Sequence, residues 1–178
     1  VYECPEMMQY DQVGTYTYYM NENGDVTSCD LIYDMTPEEY ASKYEAVNRE
    51  LQNIYQNLSG LSDLEIEQKI YEYIISHVTY DRTIEDADNA YGVLIRGKAK
   101  CDGIALTCKW LLDLCGIPNY ILAGDLPDGS DGHAWNVVEI DGQWYDLDIT
   151  RDDMDSEFIE QYLYGFFNVS DTFIRNHY

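Results

Sequence analysis

The stretch GKAKCDGIALTCKWLLDLCG, residues 97–116, predicts the helix around which the rest of the chain folds. Its apolar residues recur mostly at three- and four-residue spacings, which is the pattern of a buried helix. These residues are Ile104, Leu106, Trp110, Leu111, Leu114 and Cys115. Gly116 and Pro118 follow, and both residue types are typical of helix ends. Cys101 therefore lies at or just before the first turn of a buried helix.

A cysteine at a helix start has two interpretations. The unpaired N–H groups of the first turn and the helix dipole favour negative charge. They therefore favour the thiolate, which is the nucleophilic form of cysteine. In the alternative, Cys101 is a small buried residue, as most free cysteines are. Position alone leaves both open, so a base within reach of the thiol has to decide between them.

A second stretch, GHAWNVVEIDGQWYDLDIT at residues 132–150, predicts a hairpin that carries such a base. Asp141 and Gly142 are typical of a two-residue turn, and a turn there fixes how the two strands pair. The pairs counted outward from it are Ile140–Gln143, Glu139–Trp144, Val137–Asp146, Trp135–Asp148 and His133–Thr150. Directly paired residues share a face of the sheet, as do alternate residues along one strand.

The pairing separates two candidate acids. His133 and Asp148 become diagonal neighbours on one face, roughly 7–8 Å apart at the backbone and within side-chain reach. Asp146 shares that face but stands opposite Val137, about 13 Å along the strand from His133. The count therefore predicts Asp148 as the partner of His133, provided that no bulge interrupts the hairpin.

Cys101, His133 and Asp148 would together form a nucleophile, a base and an orienting acid. His133 would take the thiol proton, and Asp148 would fix the tautomer of the imidazole and stabilise its cation. The backbone N–H of Cys101 is a natural donor for an oxyanion at the helix start. Tyr80 is a candidate for a second donor.

These two stretches, with HVTYD at residues 77–81, resemble the transglutaminase-like superfamily in its bacterial branch. The resemblance runs from about Ser62 to about Asp171. The family's cysteine motif, His-Ala-Trp strand and Asp-x-Thr strand fall on Cys101, His133 and Asp148. Residues 149–151 read Ile-Thr-Arg where many relatives have Pro-Thr-Trp, a departure that concerns the wall of the cleft. The resemblance implies a papain-like α+β fold and acyl transfer through a thioester.

The leading functional hypothesis is a cysteine-dependent hydrolase or acyltransferase that acts on protein or peptide amides. Hydrolysis is favoured over cross-linking, because excluding water from the thioester requires an apolar tunnel that the sequence does not reveal. The rival hypothesis is a catalytically inactive protein-interaction module that retains the fold. A redox thiol protein is a third interpretation, and it lacks the usual CxxC motif.

The N-terminal third carries its own structural signals. A tyrosine-rich hairpin is predicted around Asn23-Gly24, followed by two helices that begin at Thr36 and Ser62 with capping boxes. We expect one compact domain, with helices first and an antiparallel sheet second. Residues 1–61 would form a hairpin and a helix packed on the core, and residues 62–178 would form the catalytic core.

Composition limits the partners. The chain has 10 basic and 34 acidic residues and a formal net charge of −24, so we expect neither nucleic acid nor an anionic membrane surface as a partner. No apolar run reaches membrane-spanning length, so membrane insertion is not predicted. The acidic, tyrosine-rich composition and the missing initial methionine favour a secreted or cell-surface bacterial protein.

The five cysteines divide into two groups. Cys101, Cys108 and Cys115 are seven residues apart, which matches one face of a helix and no zinc motif, so neither a metal nor a cofactor is predicted. Cys4 and Cys29 either form a disulfide that ties down the N-terminus or remain two unrelated thiols.

Overall fold

A computed structural model describes residues 3–8, 17–30, 33–124, 132–154 and 164–177. Within them the chain alternates helices with short strands before it forms a three-stranded sheet. The elements in chain order are β1 (Thr17–Met20), β2 (Val26–Asp30), α1 (Pro37–Gln56), α2 (Asp63–His77), β3 (Thr79–Tyr80), a π-helical turn (Gly92–Arg96), β4 (Lys98–Ala99), α3 (Cys101–Leu114), β5 (Asn119–Gly124), β6 (His133–Ile140), β7 (Gln143–Leu147), α4 (Ile149–Met154) and α5 (Asp171–Arg175).

Both long N-terminal helices begin with the capping boxes that the sequence predicted. The Thr36 hydroxyl accepts the backbone N–H of Glu39, and the Glu39 carboxylate accepts the backbone N–H of Thr36. Ser62 and Glu65 make the same reciprocal pair at the start of α2. Each box satisfies two N–H groups that a helix start otherwise leaves without partners, so both helix starts are fixed locally.

Helix α3 lies at the centre of the molecule. Eleven of its fourteen residues are buried, against α1 and α2 on one side and the sheet on the other. Helix α1 contributes Val47, Leu51 and Ile54 to this core. The Asn136 amide of β6 donates to the Ala105 carbonyl of α3, and this bond fixes the sheet against the helix. The α+β architecture, with helices before the antiparallel sheet, is confirmed.

The sheet has the order β5-β6-β7 and is antiparallel throughout. The predicted turn at Asp141-Gly142 is present, and the pairs from Ile140–Gln143 to Val137–Asp146 are confirmed. The pairs predicted for Asp148 and Thr150 are wrong, because β7 ends at Leu147 and α4 begins at Ile149.

Asp148 leaves the ladder because it starts the next helix. Its carboxylate Oδ1 accepts the backbone N–H of Arg151 at 3.1 Å, which is the role of a helix N-cap. Its own backbone N–H donates to the Phe166 carbonyl at 3.0 Å instead of to β6. The carboxylate is thus held in place by a helix start rather than by strand pairing.

The N-terminal hairpin differs from expectation in its packing. We expected it to lie on the core, but every residue of β1 and β2 is exposed. The turn itself is as predicted, with Gly24 at φ +86°, a conformation that favours glycine. Cys29 on β2 is an exposed free thiol and Cys4 a half-buried one, so the structure contains no bridge between them. The division at residue 61 stays a prediction.

A carboxyl group is buried in the core next to an asparagine amide. Glu67 on α2 is 0% exposed, and its Oε2 accepts the Asn168 amide at 2.7 Å. Within the described part of the chain, Glu67 Oε1 and Asn168 Oδ1 have no hydrogen-bond partner. Burial raises the pKa of Glu67 to about 7, against which the hydrogen bond from Asn168 acts only partly. A proton on Oε1 gives the carboxyl a donor to offer, which an ionised carboxylate lacks.

We expect Glu67→Gln to remove much of the stability loss that the protein shows between pH 5 and pH 8. The folded pKa of Glu67 lies above the unfolded value, so its contribution is complete at low pH and is lost as pH rises through 7. Between pH 5 and pH 8 this loss is on the order of 2 kcal/mol. Glutamine does not titrate, and its amide provides the donor permanently. At pH 8 the variant should melt about 4–8 °C above the wild type.

Thermal unfolding from pH 5 to pH 8 measures this effect. Glu45→Gln is the matched control, because the Glu45 side chain is 78% exposed and its replacement removes the same charge from the surface of α1. If Glu45→Gln flattens the pH dependence as much as Glu67→Gln does, general charge repulsion and not the buried carboxyl is the cause.

Candidate active site

Cys101 is the first residue of α3, as the sequence predicted. The side chain is buried among Ala105, Ala134 and Ile121, with 6% of the residue exposed. The N-cap residue, Lys100, makes no side-chain capping bond to the first turn of the helix. A helix start without a side-chain cap presents backbone N–H groups toward any negative charge placed next to it.

Two glycines shape the approach to this helix. Gly97 has φ +67°, the left-handed conformation that ends the π-helical turn and redirects the chain into β4. At Gly103 a Cβ atom would lie 2.5 Å from the Ala87 carbonyl oxygen, so only glycine allows the preceding loop to pack against the helix there. The Lys100 backbone N–H donates to the same carbonyl at 2.8 Å. The glycines around Cys101 therefore fix the backbone on both sides of it.

His133 and Asp148 are in direct contact. The imidazole Nε2 and the carboxylate Oδ2 are 2.7 Å apart, and the two residues are 9% and 0% exposed. Since Asp148 also caps α4 through its other oxygen, the carboxylate has little freedom to turn away. The bulge that would have broken this pairing is absent from the described hairpin, although the contact forms beyond the end of the ladder.

The same imidazole also contacts the candidate nucleophile. His133 shares a side-chain hydrogen bond with Cys101. Because Nε2 bonds to Asp148, we assign the remaining ring nitrogen, Nδ1, to the sulfur. The structure therefore brings all three predicted residues together, with the imidazole between the thiol and the carboxylate.

Electrostatics favour the charged imidazole. Burial lowers the pKa of His133, but its hydrogen bonds to Asp148 and Cys101, together with the charges of those groups, outweigh burial and raise the pKa to about 9. An imidazolium at neutral pH stabilises a thiolate beside it. The arrangement can therefore hold an ion pair of the kind that activates a cysteine nucleophile.

The other two cysteines of this helix face differ in environment. Burial raises the pKa of the Cys108 thiol well above its usual value, and the nearby carboxyls of Glu67 and Asp113 raise it further. Burial also raises the pKa of the Cys115 thiol, which is half-buried just after the end of α3. Both groups are held in the unreactive thiol form, so Cys101 is set apart from the other cysteines on α3.

A tryptophan that stacks on His133, and a second aspartate that binds this tryptophan, were not predicted as part of the site. The Trp135 indole N–H donates to Asp146 Oδ1 at 2.8 Å, and the Trp135 and His133 rings are stacked with centroids 5.9 Å apart. The pairing count contained the signal, since Trp135 and Asp146 are diagonal neighbours just as His133 and Asp148 were expected to be. The backbone distance of about 13 Å between Asp146 and His133 leaves out the indole ring of Trp135, which contacts both residues.

Tyr80 lies on β3 opposite Ala99, two residues before Cys101. Its role as a second donor stays a prediction. In the described ranges, no three His, Cys, Asp or Glu side chains converge as metal ligands would. Asp125, Asp128 and Asp131, whose spacing does not follow a known calcium-binding loop, lie outside those ranges. Among the described helices, none is both long and apolar enough to cross a membrane.

The chain was compared with known families and solved structures. A family model described as the transglutaminase-like superfamily matches residues 51–149, more than half of the chain. The match begins inside α1, earlier than the Ser62 start inferred from the sequence. The search of curated proteins gave no match.

Two solved structures are among those that resemble this chain. The crystal structure of a TGase is 22% identical with a TM-score of 0.51, and the match covers 66% of this chain and 34% of that one. The periplasmic domain of TgpA from Pseudomonas aeruginosa is 16% identical with a TM-score of 0.48, over 72% of this chain and 52% of that one. The chain thus spans a third to a half of these structures, and the first of them supports the fold alone. From the family match over residues 51–149, the chain belongs to the transglutaminase-like superfamily.

Proposed function

We propose that this protein is a cysteine-dependent acyl-transfer enzyme that acts on protein or peptide amides through a thioester, with water as the favoured acceptor. The observation that carries the proposal is the contact of one imidazole with both the Cys101 thiol and the Asp148 carboxylate. A nucleophile, a base and an orienting acid in this order are the requirements of covalent acyl transfer.

In the first half of the reaction the Cys101 thiolate attacks the carbonyl carbon of the amide. The carbonyl oxygen becomes an oxyanion, and the uncapped N–H of Cys101 at the start of α3 supports its charge. The C–N bond then breaks, and the His133 imidazolium gives its Nδ1 proton to the leaving ammonia or amine. The enzyme is left as a thioester with a neutral imidazole.

In the second half a water molecule resolves the thioester. His133 takes a proton from the water, and the resulting hydroxide attacks the thioester carbonyl carbon. The C–S bond breaks and leaves a carboxylic acid, the Cys101 thiolate and an imidazolium, which is the starting state. Asp148 stabilises each imidazolium in this cycle.

Charged side chains near the nucleophile support water as the acceptor. Lys100, which precedes Cys101, lies 3.2 Å from Asp102 and 3.9 Å from Asp88, and all three side chains remain 21–30% exposed. Groups of this kind attract water to the start of α3. A cross-linking enzyme must instead keep water from the thioester until an amine arrives.

A peptide library incubated with the protein, with and without an added primary amine, tests the proposal. Mass spectrometry distinguishes hydrolysed peptides from peptides that have taken up the amine. We expect hydrolysis of a subset of peptides by the wild type and none by Cys101→Ala. A wild type that turns over no peptide, and whose Cys101 is no more reactive than Cys108, would support the inactive interaction module instead.

A further inference from the structure

The indole of Trp135 lies against the imidazole of His133. The two residues are alternate residues of β6, so their side chains share a face of the sheet. The ring planes are 19° apart and the centroids 5.9 Å, which is a stacked arrangement. The imidazole of His133 thus has a carboxylate at one nitrogen, a thiol at the other and an indole across its face.

The indole is itself fixed at both ends. Its N–H donates to Asp146 Oδ1 at 2.8 Å, and its six-membered ring lies over Gly124 on β5. A Cβ atom at Gly124 would be 3.6 Å from the nearest ring carbon, which is an ordinary van der Waals distance, so the ring lies beside this residue of β5. Trp135 is 9% exposed, so its N–H needs a partner inside the protein.

Asp146 is a rigid anchor for that bond. Its residue is 5% exposed, and its backbone exchanges hydrogen bonds with Val169 in both directions at 2.9 Å. Burial raises the pKa of Asp146, while the Trp135 bond favours its ionised form. The charged groups that influence it are Asp148, together with Asp171 and Arg175 of α5.

From these contacts we infer that Asp146 is a positioning residue of the proposed active site, acting on His133 through the indole of Trp135. The inference rests on the proposed function, since it assigns Asp146 a part in keeping the imidazole ready for Cys101. Asp146 acts through the indole N–H whose hydrogen bond it accepts. It holds the aromatic surface against which the imidazole is aligned.

The indole can help the imidazole in two ways. A flat ring packed against the imidazole limits rotation about its Cβ–Cγ bond, and that rotation would carry Nε2 away from Asp148. The face of an indole also attracts a cation placed within about 6 Å of its centre, so it favours the imidazolium over the neutral ring. Both effects support the ion pair with Cys101, and both require the indole to stay in place.

Alkylation of Cys101 by iodoacetamide between pH 6 and pH 10, followed by mass spectrometry, tests the inference without a known substrate. Asp146→Leu removes the acceptor for the indole, whereas Asp146→Asn keeps an oxygen in the same place and is the matched control. Trp135→Phe removes the N–H that Asp146 holds. His133→Ala gives the rate of a Cys101 that has no base.

We expect Asp146→Leu and Trp135→Phe to lower the alkylation rate at pH 6 about tenfold and to approach the wild-type rate at pH 10, where a thiolate forms without help. Asp146→Asn should stay within about threefold at every pH. When Trp135→Phe is already present, adding Asp146→Leu should lower the alkylation rate less than about threefold more, because the hydrogen bond that it removes is already absent.

Three outcomes would overturn the inference: an unchanged rate in Trp135→Phe, an equal loss in Asp146→Asn and Asp146→Leu, or additive losses in the double variant. Trp135→Phe keeps the test decisive if Asp146→Leu does not fold. A wild type that is no faster than His133→Ala at pH 6 would instead contradict the proposed function itself.

Discussion

Replacing Cys101 with alanine should abolish acyl transfer, with turnover falling at least about 10³-fold, while the protein stays folded. No other group in the described site can form the thioester, and removal of a nucleophile in comparable triads costs at least this much. The substitution exchanges one small buried residue for another, so the loss of stability should be on the order of 1 kcal/mol. Turnover of a peptide from the library and a thermal unfolding curve measure the two quantities.

The same variant should change the titration of His133. Since the bond and charge of Cys101 help to raise the pKa of the imidazole to about 9, Cys101→Ala should lower that pKa, and NMR of the ring protons can follow it. Cys108→Ala is the matched control, because Cys108 lies two turns along the same helix and is 0% exposed. It should keep activity and lose only packing. Preferential labelling of Cys108 or Cys115 by a thiol-reactive probe in the folded protein would contradict the choice of Cys101.

The sequence predicted correctly those features of the fold that depend on interactions between residues close together in the chain. Capping boxes, the Asp141-Gly142 turn and the apolar spacing of α3 each depend on residues a few positions apart, and each is present as predicted. The two-residue turn also fixed the register, which brought His133 to the end of the sheet that faces Cys101. Register is well specified here because a shift by one residue would turn buried Val138 and Ile140 to the opposite face.

The sequence could not show where the strand would end. Counting pairs assumed that β7 continued to Thr150, but an aspartate followed by a helix-forming segment is as good a helix start as a strand residue. Tertiary contact with the Phe166 carbonyl settled the competition in favour of the helix. His133 meets Asp148 because the helix cap turns that carboxylate toward it.

Contacts between segments that are distant in the sequence could not be predicted from local residue spacing either. Glu67 lies on the buried face of α2. Its partner Asn168 is 101 residues away in the sequence, so no local spacing of residues identifies a buried carboxyl there. The exposed hairpin is the opposite case. Its alternating tyrosines predict strands correctly, yet alternation does not tell whether either face finds a partner within the chain.

Asp148→Asn should lower turnover by a factor on the order of 10–10³, the second largest effect that we expect. Oδ1 of residue 148 accepts the Arg151 N–H at the start of α4, and an asparagine must keep its oxygen there to preserve that cap. Its amide nitrogen then faces His133 Nε2, where the native carboxylate oxygen is. The imidazole must accept at Nε2 and carry its proton on Nδ1, which faces the sulfur, so it can no longer take the thiol proton. The imidazolium is also disfavoured, since its Nε2–H would meet an N–H donor.

The expected loss of turnover in Asp148→Asn is smaller than the loss known for the equivalent change in a serine protease. In a serine protease the equivalent change costs about 10⁴ in turnover. In the proposed mechanism an imidazolium beside the sulfur favours the thiolate before the substrate arrives, so we expect less to depend on the acid here. Asp146→Asn is the matched control, because it removes the same charge two residues away while keeping an oxygen for Trp135, and it should cost less than about threefold. Turnover of both variants, with circular dichroism to confirm that each is folded, distinguishes the two acids. Equal losses, or a larger loss at Asp146, would show that Asp148 is not the acid on which His133 depends.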